Sequence, residues 1–528
     1  MSGSCATRWT DRDPDAPGGT MRLKRLRRSL SGASTLRGWR ADLSALCAGV
    51  LASLALPPLH LVPVLLLAIP WLLTLLDSAP GPAVAARRGW WFGFGLNLVG
   101  LYWITEAILI EAARFWWFVP IAVPALAAVM AVFIAFAAGV ARCAPAGWRR
   151  VFCLAGAWVL ADLARQFIAT GFPWNPLGSV WEIPGPVGDV LIQPAAWIGV
   201  HGLTLATLML AGSPILSWRW RTAAVAVMAG WVGFGAVRLH AAIPRGPDLT
   251  VLLVQGNVAQ GQKWDRAFVL RIFDRYLRLT RDAVAAVGDS PAVVVWPETA
   301  SPFQLATDPA ARQAIEDAAE GKPALIGAVR FDPDGRPRNS LFALGAGGTI
   351  TGIYDKWHLV PFGEYQPDWL PLGIQVVPGG GFQRGPGPVT LHVPGLPPVG
   401  PLICYEAIFP AQVVDSGDRP AWLVNVTNDA WFGNSTGPRQ HLAAARMRAV
   451  EEGLPLVRAA NTGISAAFDA HGHELGRIDL QTSGTLAVAL PGPLPETVFG
   501  RIGLWLPAIS GSVALGVGLV ARRNAASG

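Results

Sequence analysis

The sequence predicts a polytopic α-helical membrane domain of about eight transmembrane helices, joined to an α/β globular domain. Three observations lead there. Over 528 residues the chain is 52% hydrophobic and 15% charged, too apolar for an average soluble protein. The apolarity is uneven: charge is sparse from about Leu43 to Val237, whereas Asp248 to Leu490 has the mixture of an ordinary globular domain. Within the apolar half, Arg and Lys gather in alternate gaps between hydrophobic runs, the mark of a chain threaded back and forth across a bilayer.

The runs start near Ala41, His60, Gly89, Phe115, Val151, Leu191 and Ala223, with one more near Val498. Each is long enough to cross or nearly cross the ~30 Å hydrocarbon core of a bilayer. Pro63 and Pro70 interrupt the second, and the fifth is short and carries Asp162. Arg22, Lys24, Arg25, Arg27, Arg28, Arg37 and Arg40 precede the first run. Arg87 and Arg88 follow the second, Arg142, Arg149 and Arg150 the fourth, Arg219 and Arg221 the sixth, and Arg522 and Arg523 the eighth. The other gaps carry few cations, and Phe167 to Gly188 has no Lys or Arg. Positive charge is retained on the cytoplasmic side, so both termini are expected there and the globular domain outside. The expected division is a basic cytoplasmic tail 1–38, a helical region 39–242 of about seven spans, an extracytoplasmic domain 246–493, a last span 496–521 and a cytoplasmic tail 522–528.

Other classes fit less well. The net charge of +7 sits in the N-terminal tail and in short loops, which reads as topology and excludes a nucleic-acid partner. Of the 23 Trp residues, pairs such as Trp90-Trp91 and Trp116-Trp117 fall near the ends of apolar runs, where amphipathic rings favour the bilayer interface. Small residues inside the runs, among them Gly93, Gly95, Gly100, Gly511, Gly516 and Gly518, permit close helix packing in lipid. Apart from Asp162 and Glu106 near run ends, no mid-membrane ionisable groups point to a transporter. Five cysteines are present, and Cys404 alone lies in the globular stretch, so a disulfide framework there is ruled out.

From Leu249 the pattern changes to short apolar runs bounded by turns. Leu249–Gln255, Ala292–Trp296, Ala324–Val329, Ser340–Leu344, Val399–Cys404, Trp422–Val426, Leu456–Ala460 and Leu486–Leu490 read as mostly buried strands. Between the first two, Trp264–Val287 places Phe268, Ile272, Tyr276, Leu279 and Ala283 on one helical face. Further helices are expected over Pro309–Glu320 and Pro438–Glu452. Strands alternating with helices argue for a layered α/β fold, whose stacking the pattern leaves open. Glu298, Cys404 and Asn428-Asp429 each follow a strand, and side chains at the carboxyl ends of strands converge on one crevice in such folds. Tyr354-Asp355-Lys356-Trp357-His358 forms a fourth polar cluster.

A Glu, a Lys and a Cys in that chain order resemble the nitrilase, or carbon-nitrogen hydrolase, superfamily. The nearer resemblance is to the apolipoprotein N-acyltransferase family. It rests on Gln255-Gly256-Asn257, Lys263-Trp264-Asp265, Trp296-Pro297-Glu298, Tyr354-Asp355-Lys356 and the run His358 to Glu364. Ile403-Cys404-Tyr405-Glu406, the run Asn428 to Gly433, Gln440-His441 and Asn461-Thr462-Gly463 continue it, with Gly171-Phe172-Pro173-Trp174 in the membrane part. Coverage runs from roughly Trp39 to Val520, with departures at Ala259 and Trp357 beside the expected pocket. The resemblance implies a nitrilase-like αββα sandwich, no cofactor, no metal, and a multi-pass protein of the bacterial inner (cytoplasmic) membrane with its catalytic domain on the periplasmic side. It also implies a phospholipid acyl donor, a diacylglyceryl apolipoprotein acceptor and contact with membrane lipid; a monomer is the expected state.

The implied catalytic set is Glu298, Lys356 and Cys404. A thiol accepts an acyl group and surrenders it to an amine because a thioester is activated and its thiolate leaves readily. Glu298 is the implied base, and Lys356 the cation for the negative oxygen formed on the ester carbonyl. Glu364 and Glu406 resemble additional essential carboxylates. Tyr405, a further supporting residue, and Trp264 and Trp431 are candidate walls for the acyl chain and lipid head, with a core-packing role nearly as open for each; Trp357 is a further candidate for substrate binding. Loops around Lys263-Trp264 and Gly363–Gly380 have the composition of lids. His471 and His473 sit in an expected turn without a neighbouring ligand cluster. Two rival readings use the same residues: a membrane-anchored amidase that gives its thioester to water, and a non-enzymatic receptor on an inactive nitrilase fold.

Overall fold

The computed structural model describes residues 35–110, 112–262, 266–367 and 381–520. Residues 1–34 of the basic N-terminal tail, the C-terminal tail, Trp264 and most of the Gly363–Gly380 loop therefore lie outside the described residues.

All eight apolar runs fall on helices. These are α1 (Trp39–Ser53), α2 (Leu65–Asp77), α3 (Pro82–Gly100), α4 (Val119–Cys143), α5 (Trp148–Phe167), α6 (Ala195–Gly212) and α7 (Trp218–Leu239). The eighth, Trp505–Leu519, follows the globular domain. Among the described residues, three helical stretches are long and apolar enough to cross a membrane: Trp116–Cys143, Ala195–Ile215 and Trp218–Leu239. Val62–Asp77 and Trp505–Leu519 are apolar but shorter. Length alone thus supports fewer than eight crossings. The bundle explains part of the shortfall, because α5 spends its side chains on neighbouring helices, with Asp162 and Arg165 buried as an ion pair at 3.3 Å. By contrast α7 buries little beyond Trp231 and Gly235 and exposes Val225, Val227, Val232 and Val237, as a lipid-facing helix would.

Close helix crossings use glycine where backbones meet. A Cβ on Gly95 of α3 would lie 2.3 Å from the Leu46 carbonyl of α1, and one on Gly156 of α5 would lie 2.4 Å from the Gly511 carbonyl. Gly516, expected in the same role, faces open space.

The globular part holds two sheets. Strands β1 (Thr250–Gln255), β2 (Ala292–Ser301), β3 (Ala324–Phe331), β4 (Pro337–Leu344) and β5 (Ile350–Asp355) belong to the first, and β6 (Val399–Ile403), β7 (Trp422–Thr427), β8 (Leu456–Ala460), β9 (Ser465–Phe468) and β10 (Glu474–Ile478) form the second. The last strand, β11 (Gly484–Ala489), returns to the first sheet beside β1, giving the order β11-β1-β2-β3-β4-β5 against β10-β9-β8-β7-β6. Alternation along the strands builds three layers of core. Val251, Leu253, Val293 and Val295 of one sheet meet Val424, Val426, Val457 and Ala459 of the other. The opposite faces, through Leu252, Val294 and Ile326, pack on α8 (Arg266–Val287) and α9 (Pro309–Ala319). Leu402, Leu423 and Leu456 pack on α10 (Gly437–Glu452). This is an αββα sandwich, and α11 (Trp505–Leu519) leaves it to pack against α5.

Three strands have no counterpart among the expected ones: β5, β9 and β10. β9 has only four residues, and β5 and β10 lie at sheet edges with Gly352 and Gly476 inside them, which interrupts the alternation a pattern search needs. A further correction concerns Glu298, which lies inside β2 instead of after it. The β2–β3 register shifts between Trp296 and Ser301, so the strand bulges across Pro297 to Ala300 and then resumes.

Candidate active site

Glu298, Lys356 and Cys404 are each delivered by the end or irregularity of a strand. The β2 bulge lies over β3 at Gly327, where a Cβ would sit 2.1 Å from the Pro297 carbonyl and 2.8 Å from the Glu298 Cα. Glycine at that position lets the bulge press inward and carry Glu298 toward the crevice. Thr299 beside it has φ 47, unusual for a β-branched residue. Lys356 is the first residue after β5, with its amide bonded to the Asn339 carbonyl of β4 at 2.9 Å. Cys404 is the first residue after β6 and adopts φ 52, left-handed for a side chain that rarely tolerates it. Such a conformation costs about 1–3 kcal/mol and persists where surrounding structure imposes it.

These ends meet. The Lys356 ammonium donates to Oε1 of Glu364 at 2.8 Å and to Oε1 of Glu298 at 3.2 Å. Asn339 donates its Nδ2 to the same two carboxylates, at 2.6 Å to Glu298 and 3.1 Å to Glu364. The other Glu298 oxygen accepts from the backbone amide of Asn428 at 2.8 Å, and the other Glu364 oxygen from Val360 at 2.8 Å. Lys356 and Glu298 are almost fully buried. Burial opposes the charge on Lys356, but Glu298, Glu364 and Cys404 beside it outweigh that and hold its pKa well above the ordinary lysine range. Burial, reinforced by Glu298, pushes the Cys404 thiol up, so the sulfur rests protonated at neutral pH.

Glu406 is a brace between segments. It is wholly buried, and its Oε1 accepts from the Tyr354 hydroxyl at 2.8 Å and from the amides of Trp357 at 2.7 Å and His358 at 3.3 Å. Its Oε2 accepts from the Ile403 amide at 2.6 Å. One carboxylate therefore ties the segment after Lys356 to the turn that presents Cys404. Burial pushes Glu406 up to about 7 against the pull of these donors.

Behind the thiol lies a second polar set. Asp429 binds Arg458 Nη2 at 2.6 Å, His441 Nδ1 at 2.9 Å and the Thr427 hydroxyl at 3.0 Å, while Thr427 also lies beside the Cys404 thiol. Burial works against the Asp429 charge, yet Arg458 and His441 hold its carboxyl below the ordinary range. The Cys404 sulfur, an Asp429 oxygen and a His441 nitrogen lie within 4.8 Å of one another, a grouping that sequence spacing did not suggest. The Asp429 oxygens are engaged with Arg458, Thr427 and His441, which leaves the set arranged as an ion-paired brace.

The aromatic candidates divide. Tyr405 is buried at the junction of the two regions, its hydroxyl donating to the Gly171 carbonyl at 2.9 Å and its ring 6.5 Å from Phe172. Trp357 is half-buried beside His358 and under the Arg384 guanidinium. Trp431 is half-buried in the turn Asp429–Phe432, while its neighbour Phe432 packs on Trp103 at 4.6 Å. Trp264 lies outside the described residues. Asn339, Thr427 and Arg458 were missed by sequence reasoning. Asn339 carried little signal, since it stands between Arg338 and Ser340 at the polar start of the strand Pro337–Leu344.

Comparison with known proteins adds the family. Residues 48–213 match the model of the apolipoprotein N-acyltransferase N-terminal domain, and residues 253–494 match that of carbon-nitrogen hydrolase. The apolipoprotein N-acyltransferase of Rhodopseudomonas palustris is 39% identical over 514 residues, covering 90% of this chain and 94% of that protein. The one from Brucella melitensis biotype 1 is 40% identical over 504 residues, with the same coverage. That of Bradyrhizobium diazoefficiens is 39% identical, covering 96% of this chain and 99% of its own. With both halves matched in order and relatives aligned over nearly their full length, the chain belongs to the apolipoprotein N-acyltransferase family, a membrane acyltransferase built on a carbon-nitrogen hydrolase domain.

Proposed function

We propose that this chain moves an acyl chain from a membrane phospholipid to the free α-amino group of the diacylglyceryl-cysteine of apolipoproteins, through a thioester on Cys404. The observation that carries the reading is the buried meeting of Glu298, Lys356 and the strand-end turn of Cys404 in a chain of this family.

In the first half-reaction Glu298 takes the Cys404 proton as the sulfur attacks the phospholipid ester carbonyl. Lys356, fixed by two carboxylates, lowers the energy of the negative oxygen that forms. Collapse breaks the carbon–oxygen bond, and Glu298 returns its proton to the departing lysophospholipid hydroxyl. In the second half, the acceptor amine attacks the thioester, Glu298 accepts the amine proton, and the carbon–sulfur bond breaks to give the amide. Proton transfer back from Glu298 restores the thiol. A raised thiol pKa suits this ping-pong cycle, because the sulfur is activated only when base and ester are both in place.

The domain layout proposed for this cycle is the one drawn from charge: helical region 39–242, catalytic domain 246–493 on the periplasmic side of the inner membrane, and a last span 496–521. Two lipid substrates account for tethering the domain to a bundle. Mass spectrometry of Cys404 after exposure of the detergent-solubilised protein to phospholipid tests the reading, with amide formation on a diacylated lipopeptide as the second readout. An acyl adduct absent from Cys404→Ser, and consumed on adding lipopeptide, is the expected result. Free fatty acid without amide product would reassign the chain as a hydrolase.

A further inference from the structure

We infer that Gln440 and His441 form a positioning pair through which the helical region sets the geometry of the Cys404 turn. The inference rests on Cys404 being the nucleophile and adds to that reading a reason why the bundle belongs to the site.

Cys404 holds a left-handed backbone that needs external support. One support is the bond from the Ile403 amide to Glu406. The other is the ring of His441, whose Nε2 lies 2.9 Å from the Cys404 carbonyl oxygen. That oxygen can only accept, so the contact is a hydrogen bond when Nε2 carries the proton, the form in which Nδ1 of a neutral ring accepts from Arg458. The opposite nitrogen faces Asp429 at 2.9 Å and Arg458 at 3.1 Å, and all three side chains are buried. His441 is thereby fixed in orientation, with its donor aimed at the backbone of the nucleophile.

The adjacent residue points the other way. Gln440 accepts from the Trp174 indole at 2.9 Å and donates to the Pro57 carbonyl at 3.1 Å, both in the helical region. Thus the first turn of α10 is clamped at once to the bundle and to Cys404. Tyr405, next to the nucleophile in sequence, is tied to the same region through Gly171, and Gln166 of α5 donates to the Pro410 carbonyl at 2.9 Å. The nucleophile turn is held between two contacts with the bundle, and a carbon-nitrogen hydrolase domain alone would lack both.

The test uses the full-length protein in detergent and follows iodoacetamide alkylation of Cys404 by mass spectrometry, together with kcat and KM for acyl transfer. His441→Phe keeps ring volume and deletes the donor; alkylation and kcat are expected to fall on the order of 100-fold, as for a misplaced reacting group, with KM unchanged. His441→Gln retains a donor near the Nε2 position and is expected to recover most of that loss. Trp174→Phe removes the donor to Gln440 while keeping a ring, and is expected to slow alkylation and kcat in the same direction. A folded His441→Phe protein that alkylates and turns over at the normal rate overturns the inference, as do Gln and Phe variants equally impaired. If His441→Phe does not fold, normal alkylation in Trp174→Phe overturns it. Alkylation requires no lipid, so failure of the wild-type protein to transfer acyl groups would remove the proposed function and leave this measurement standing.

Discussion

Lys356 donates to Glu364 at 2.8 Å, a shorter bond than the 3.2 Å one it makes to Glu298. The two carboxylates thus share the cation, Glu364 through the shorter bond and Glu298 with further bonds from Asn339 and the Asn428 amide. Glu364→Gln keeps the shape but removes the anchoring charge. A hydrogen bond to a charged group contributes about 1.5–3 kcal/mol, so acyl-enzyme formation is expected to slow by roughly 10–100-fold. Rapid-quench mass spectrometry of Cys404 measures this directly. Unchanged acyl-enzyme formation would assign Lys356 to Glu298 alone.

Glu406 makes a different prediction because it touches backbone. Glu406→Ala would strand the buried amide of Ile403, the half-buried amide of Trp357 and the buried Tyr354 hydroxyl. Breaking a buried charged network typically costs about 3–5 kcal/mol, so a lower melting temperature in detergent should accompany lost activity. Glu364→Gln, which keeps an oxygen for Lys356 and Val360, should lower the melting temperature less than Glu406→Ala does. Two acids similar in sequence context are thus separable by thermal denaturation.

Much of this was legible beforehand, for physical reasons that can be named. The strands at Ala324–Phe331 and Leu456–Ala460 are central, the first apolar from Ala324 to Val329 and the second apolar apart from Arg458, so their composition announced them. Edge strands β5 and β10 carried no such signal. Cys404, Lys356 and Glu298 stood out because each is a reactive group against an apolar background. Arg458 did not, since an arginine inside Leu456–Ala460 reveals its purpose only when Asp429 arrives from another strand. The membrane part was legible as apolar runs but not as a count of crossings, because short helices such as Leu65–Asp77 take their environment from neighbours as much as from their own length.

The thiol gives a pH prediction. Burial and Glu298 raise the Cys404 pKa above the ordinary value of 9.0. The ultraviolet thiolate absorbance, taken as the difference between the protein and Cys404→Ala, should be absent at neutral pH and should still be growing above that value. The sign for stability follows from proton linkage: a folded state that holds its proton more tightly is favoured while the proton is on. The Cys404 contribution is therefore complete below pH 9 and is lost as pH climbs from there through the folded pKa. Cys404→Ala should lose less stability than the wild type over that alkaline window, and a thiolate signal at neutral pH would contradict the assignment.

The junction between the two regions yields the last prediction, at Gly171. Its φ is 75, a conformation that favours glycine, and a Cβ there would lie 2.2 Å from the Gln166 carbonyl and 3.1 Å from the Phe409 ring. Its own carbonyl receives the Tyr405 hydroxyl, and Tyr405 follows Cys404 directly. Gly171→Ala must therefore move the loop, and the strain of a left-handed alanine alone is about 1–3 kcal/mol. The movement acts on two partners at once: the Tyr405 hydroxyl loses its acceptor, and Phe409, stacked on His358 at 3.7 Å, is displaced. A purely local effect would lower the melting temperature and leave kcat untouched. Because the acceptor belongs to the bundle and the donor to the residue beside the nucleophile, kcat should fall together with the melting temperature. Tyr405→Phe, which removes the same bond without backbone strain, should reproduce the loss in kcat with a smaller thermal shift.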